Sequence, residues 1–167
     1  VKKRALDDSF GKGSATVKKQ SWHSNSPAAT RMIGAEIWRL LQGRTVIALS
    51  GDLGAGKTEL VKGFARAAGY EGPVTSPTFT LCQEYTVDAG ILYHVDLYRL
   101  SGPADFEEIG LWDLLPPEDG IVLIEWAEKA EGCLPGDAIE VILRNGETPQ
   151  DRWIDAFVPG EEDLKHG

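Results

Sequence analysis

The chain has 167 residues, 42% of them hydrophobic, and a formal charge of −9. That length suits one domain around one core and excludes an ordinary eight-fold βα barrel, which needs ~200 residues or more. The acidity excludes broad binding to nucleic-acid phosphates, DNA included, and the absence of any apolar run near ~20 residues excludes a membrane span.

Residues 1–20 hold six Lys/Arg and only Asp7 and Asp8 as acids, leaving −13 on the rest. This stretch is rich in Gly and Ser without an apolar period, so it reads as a loose basic tail. It lacks the apolar segment that a signal peptide carries after its basic start. The folded domain is expected over 26–158, followed by a C-terminal tail, 159–167. Ser26-Pro27 suits a helix cap with proline at the first helical position, and Ile33, Ile37, Leu40 and Leu41 recur at helical spacing up to Gly43. Val46-Ile47-Ala48-Leu49 has the composition of a buried parallel strand. The glycine-rich segment Gly51–Gly56 interrupts it, and a helix is predicted from Thr58 to Gly69, with Leu60, Phe64, Ala67 and Ala68 on one side.

Further along, Thr78–Val87 and Ile91–Leu97 flank Asp88-Ala89-Gly90, the pattern of a β-hairpin. Short helices are expected over Pro103–Ile109 and near Leu111–Leu115. Ile121–Ile124 is a second buried strand, Ile139, Val141 and Leu143 alternate as in a half-exposed one, and Trp153–Val158 form the last. The fold class is therefore α/β: a single P-loop NTPase-like domain, its central sheet mixed but mostly parallel, with helices on both faces and a β-hairpin. Cys82 and Cys133 lie far apart and lack the spacing of a zinc site or disulfide framework, which fits a cytoplasmic protein.

Gly51-Asp52-Leu53-Gly54-Ala55-Gly56-Lys57-Thr58 matches G-x-x-x-x-G-K-[ST]. Glycines let successive backbone N–H groups turn toward phosphate oxygens, and the helix that follows aims its positive end at them. In such a loop Lys57 reaches the β- and γ-phosphates and Thr58 puts its hydroxyl on Mg²⁺. The bland alternative is a glycine-rich turn with a surface lysine. Its position between a buried strand and an amphipathic helix favours the phosphate site.

Two acids are candidates for Mg²⁺ or its waters. Glu125 follows the run 121–124 and should emerge at the carboxyl end of a central strand, where open α/β sheets bind ligands; the alternative is a strand-end carboxylate in water. Asp96 lies in Tyr93-His94-Val95-Asp96-Leu97-Tyr98-Arg99 and shares a strand face with His94; the alternative is an ion pair with Arg99. His94 by itself reads as a hydrogen-bonded packing residue. Trp126 is either core or a lid on the site, and Ser76-Pro77-Thr78 is either a γ-phosphate-sensing segment or a plain turn.

Taken together, the 51–58 loop, Ser76-Pro77-Thr78-Phe79-Thr80-Leu81, His94-Val95-Asp96-Leu97-Tyr98-Arg99-Leu100 and Ile124-Glu125-Trp126 closely resemble the TsaE (YjeE) family, bacterial P-loop ATPases of tRNA threonylcarbamoyladenosine biosynthesis. The resemblance implies ATP/ADP and Mg²⁺ as ligands and TsaB and TsaD as partners, with tRNA engaged indirectly or weakly. By it, Lys57 and Thr58 serve phosphate and metal, Asp96 and Glu125 are the functional acids, and Trp126 belongs to a switch-like segment. It also places the neighbourhood of Pro27 to Thr30 at the nucleotide. Glu59 departs from the family's usual Thr or Ser, and is expected to point away from the phosphates. A small-metabolite kinase is the alternative, weakened by the scatter of Arg99, Arg144 and Arg152. No Asn-Lys-x-Asp signature for guanine occurs.

Overall fold

The computed structural model describes residues 16–160. Residues 1–15 of the basic tail and 161–167 of the C-terminal tail lie outside the described residues. Seven strands make one sheet: β1 (Lys18–Ser24), β2 (Val46–Gly51), β3 (Cys82–Val87), β4 (Gly90–Asp96), β5 (Gly120–Glu125), β6 (Ile139–Asn145) and β7 (Arg152–Val158). Their order across the sheet is β1-β7-β6-β2-β5-β4-β3. The four central strands β6, β2, β5 and β4 run parallel, while β3, β7 and β1 pair antiparallel with their neighbours. β2 and β5 are wholly apolar through their middles because both faces of the sheet are covered there.

Helices α1 (Pro27–Arg39) and α2 (Lys57–Ala67) cover one face. Ser26 caps α1, its hydroxyl accepting from the Ala29 N–H at 3.1 Å. Ile33 and Ile37 of α1 join Leu60 and Phe64 of α2 over Ile47, Leu49, Leu92 and Leu123. The helices approach closely because each offers a glycine: a Cβ on Gly34 would lie 2.1 Å from the Leu60 carbonyl, and one on Gly63 1.8 Å from that of Arg31. The other face is covered by α3 (Pro103–Glu108) and two 3₁₀ turns, Leu111–Leu114 and Ala127–Ala130, through Phe106, Leu111, Ala127 and Ala130. The β3–β4 hairpin turns through Asp88-Ala89, with Val87 opposite Gly90. Among the described residues no helix is long and apolar enough to cross a membrane.

One boundary is corrected. The ordered domain begins before Ser26, because Lys18–Ser24 pair with β7 along their whole length. This is an edge strand, and its lysines stay in solvent while alternate residues turn inward. Asp155 of β7 anchors it: the carboxylate accepts from Ser21 Oγ at 2.5 Å, lies 3.4 Å from Lys19 Nζ, and also pairs with Arg144. Burial alone would raise that carboxyl, but the hydrogen bonds from Ser21 and Arg144 and the nearby Lys19 outweigh it and hold the acid below its ordinary value. Cys82 and Cys133 are free thiols, and burial, with Glu84 nearby, pushes the Cys82 thiol up to about 11.

Candidate functional site

The parallel core puts the carboxyl ends of β2, β5 and β4 side by side, and the 51–58 loop leaves β2 at that edge. Gly51 closes β2 against Leu143 of β6, where any side chain would meet the Leu143 carbonyl at 2.5 Å. Gly56, at φ +97°, turns the chain into α2, a conformation that a Cβ disfavours. Asp52, Leu53 and Gly54 form the exposed crest of the loop, and Ala55 is buried beneath it.

Lys57 folds back under this crest. Its ammonium donates to the carbonyls of Gly51 (2.5 Å) and Asp52 (2.8 Å), and lies 4.1 Å from the centroid of the Trp126 ring. Burial lowers its pKa, while Glu125, Glu128, Asp96 and Asp52 act in the opposite direction. A partly desolvated cation is thus held by two loop carbonyls, donors that phosphate oxygens could take over. Trp126 is held in the left-handed region at φ 58°, ψ 39°, rare for a bulky residue, with its ring against Lys57 on one hand and Tyr98 (4.9 Å) on the other. It therefore flanks the loop lysine while also packing against the second core.

The two acids emerge at paired positions, Asp96 opposite Glu125, but their surroundings differ. Glu125 is only 3% exposed, so it is not a carboxylate in water. Its Oε1 accepts from Thr58 Oγ1 at 3.2 Å and meets His94 Nε2 at 2.8 Å. Asp96 makes no ion pair with Arg99, which lies instead over the Phe79 ring. Its Oδ2 accepts from Thr78 (2.9 Å) and Ser76 (3.3 Å), and its Oδ1 from the Tyr98 N–H (2.8 Å). The Ser76–Thr78 segment is thus hung on Asp96 through its hydroxyls.

Thr58 and Glu125 bring a hydroxyl and a carboxylate together beside the loop, hard oxygen donors of the kind Mg²⁺ takes. Among the described residues no three His, Cys, Asp or Glu side chains converge as a metal cage. Mg²⁺ does not require such a cage, since it commonly takes one or two protein oxygens and completes its shell with phosphate and water. The residues fit that ion.

Thr30 stands near the loop, its methyl 3.6 Å from where a Cβ on Gly56 would be. Its hydroxyl, however, faces Ser24 Oγ (2.7 Å) and the Ser26 carbonyl (3.3 Å), so it fastens the start of α1. Glu59 is held away from the loop by Lys62 (2.6 Å) and Arg31. Burial would raise its carboxyl, but the hydrogen bonds from these two cations prevail and lower it. Arg152, at the start of β7, donates to the Gly54 carbonyl at 3.0 Å, a support for the loop that sequence order gave no reason to expect. A cavity of about 870 Å³ lies away from this edge, between α1, α2 and residues 70–74. Its lining includes Arg31, Arg39 and Lys62, which pair with Glu59 or Glu36, together with Arg66.

The family model for the threonylcarbamoyl adenosine biosynthesis protein TsaE matches residues 24–154. The chain belongs to the TsaE family. It is 35% identical over 128 residues to the tRNA threonylcarbamoyladenosine biosynthesis protein TsaE of Bacillus subtilis, covering 77% of this chain and 79% of that one. It is 44% identical over 118 residues to the Aquifex aeolicus TsaE, covering 70% and 83%. With the Haemophilus influenzae TsaE it shares 48% over 90 residues, 54% of this chain and 56% of its relative. The crystal structure of YdiB from Bacillus subtilis superposes with a TM-score of 0.68 at 30% identity, covering 91% and 93% of the two chains. The matched TsaE segment contains the 51–58 loop, the Ser76–Thr78 segment, Asp96, Glu125 and Trp126.

Proposed function

We propose that this TsaE-family chain binds and hydrolyses ATP as an accessory step in tRNA threonylcarbamoyladenosine formation, acting in the cytoplasm on a complex of TsaB and TsaD. The observation that carries the reading is the meeting of the Thr58 hydroxyl with the buried Glu125 carboxylate, one residue beyond a lysine already drawn under the loop. The relatives' names supply the pathway. In the loaded site the backbone N–H groups of 51–58 and Lys57 hold the phosphates, and Thr58 with Glu125 or Asp96 holds Mg²⁺. The ion's contribution when bound is to neutralise charge on the β- and γ-phosphates. Glu125 orients the attacking water and accepts its proton, and Trp126 shields Lys57 from solvent.

Asp96 has a different part. Its oxygens hold Thr78 and Ser76, so any demand on this carboxylate from the nucleotide is passed to an exposed segment carrying Phe79, which is 85% exposed. A segment of that kind can report nucleotide state to a partner. The acidic surface fits a protein that serves tRNA chemistry by docking on proteins, touching tRNA weakly or indirectly. The scattered arginines do not favour the kinase alternative: Arg99 covers Phe79, Arg144 pairs with Asp155 and Arg152 supports Gly54.

The test is phosphate release from ATP, measured with the chain alone, with TsaB and TsaD, and with candidate metabolites. Release should be slow for the chain alone and rise ~10-fold or more with TsaB and TsaD present, as expected when a partner completes the site. Absence of stimulation, with phosphate appearing on a metabolite, would establish the kinase in its place.

A further inference from the structure

His94 is the one fully buried imidazole among the described residues, sealed between β3 and β5 with its ring 6.2 Å from that of Tyr85. The strand register explains where it points. Leu92 and Leu123 belong to the core beneath α1 and α2, and His94 and Glu125 each follow two residues later on the same face of adjacent parallel strands. His94 lies opposite Leu123, so Glu125 is its diagonal neighbour, toward the loop. At 2.8 Å, Nε2 faces Oε1 of Glu125, the same oxygen that receives the Thr58 hydroxyl.

The carboxylate facing Nε2 assigns the donor to that nitrogen. Nδ1 is buried and has no hydrogen-bond partner. A proton there would be an unanswered buried donor, whereas a proton on Nε2 is received by a carboxylate. The ring is therefore a one-sided clamp, donating to Glu125 and otherwise surrounded by packing. Two donors then converge on Oε1, and among the described residues no hydrogen bond engages Oε2.

We propose that His94 is a positioning residue of the nucleotide site: its Nε2–H fixes Oε1 of Glu125 beside Thr58 and leaves Oε2 free to engage the metal shell or the attacking water. The role rests on the ATP-hydrolysis reading given above. A buried histidine that only fills space would have no need of a donor aimed at this oxygen.

Two variants of nearly equal side-chain length separate the possibilities. His94→Gln retains an N–H that can reach Oε1, and His94→Met does not. With TsaB and TsaD present, His94→Met should lower kcat by ~10–100-fold, the usual effect of removing a group that orients a ligand. Its KM for ATP should change by less than about 3-fold, and His94→Gln should recover most of the loss. Equal loss in both variants, or wild-type kcat in His94→Met, overturns the proposal while leaving ATP hydrolysis by the wild type in place. No hydrolysis by the wild type with its partners overturns the nucleotide reading, and the His94 role with it.

A second measurement uses the unaltered chain, so it does not depend on a variant folding. The sequence has only three histidines, and ¹⁵N-labelled imidazoles can be told apart. The His94 Nε2–H resonance should move when ADP with Mg²⁺ is added and move less with ADP in EDTA. A resonance indifferent to both, in a chain that calorimetry shows to bind ADP, overturns the positioning role.

Discussion

Replacing Lys57 with alanine should raise the Kd for ADP by ~100-fold or more, read by titration calorimetry, with little change in thermal stability. The magnitude follows from what the lysine does at rest. Its ammonium already donates to the Gly51 and Asp52 carbonyls and is flanked by the Trp126 ring, so little ordering remains when those donors transfer to phosphate. Hydrogen bonds to charged groups contribute about 1.5–3 kcal/mol each, and two of them correspond to at least ~100-fold in affinity. Four acids, with Glu125 the largest influence, oppose the effect of burial on this cation. Their proximity would repel a triphosphate if Lys57 were absent. ADP binding to Lys57→Ala as tight as to the parent chain would show that the 51–58 loop is only a turn.

Glu125→Gln should leave ADP affinity within about 3-fold and lower partner-stimulated hydrolysis by ~10²–10⁴-fold, the range for loss of a general base. The amide keeps the length of the side chain, and its oxygen can still accept from Thr58 and His94, which now hold Oε1 at 3.2 and 2.8 Å. Only the charge and the basic oxygen are removed. Asp96 is a poorer candidate for the same task because its oxygens are engaged by Thr78, Ser76 and the Tyr98 N–H. Single-turnover phosphate release with TsaB and TsaD separates the two quantities. Unchanged turnover in Glu125→Gln would remove this acid from the chemistry.

The readable features of the sequence were local ones. The 51–58 loop declares itself because glycine, lysine and threonine are each required at fixed spacing by a single turn of chain, and Ser26-Pro27 announces α1 by the same logic. Val46–Leu49 and Ile121–Ile124 are legible as central strands because burial on both faces leaves them uniformly apolar. β1 was hidden, since an edge strand with lysines in solvent has the composition of a tail, and Asp155, which anchors it, lies more than a hundred residues away. His94 is the buried, hydrogen-bonded packing residue expected, but its partner was hidden for a related reason. Its contact with Glu125 spans 31 residues and depends on the register of β4 against β5, which no periodicity reports. Trp126 packs on the core under α3 and also lies against Lys57, because a left-handed backbone turns it at the end of β5.

An ATP cycle at this loop, on the function proposed above, serves tRNA modification. It is tested most directly by the amount of threonylcarbamoyladenosine in tRNA, measured by mass spectrometry, from cells depleted of their own TsaE and supplied with this chain or its Lys57→Ala form at equal abundance. The parent chain should restore the modified nucleoside, and Lys57→Ala should not. Full restoration by Lys57→Ala would contradict it.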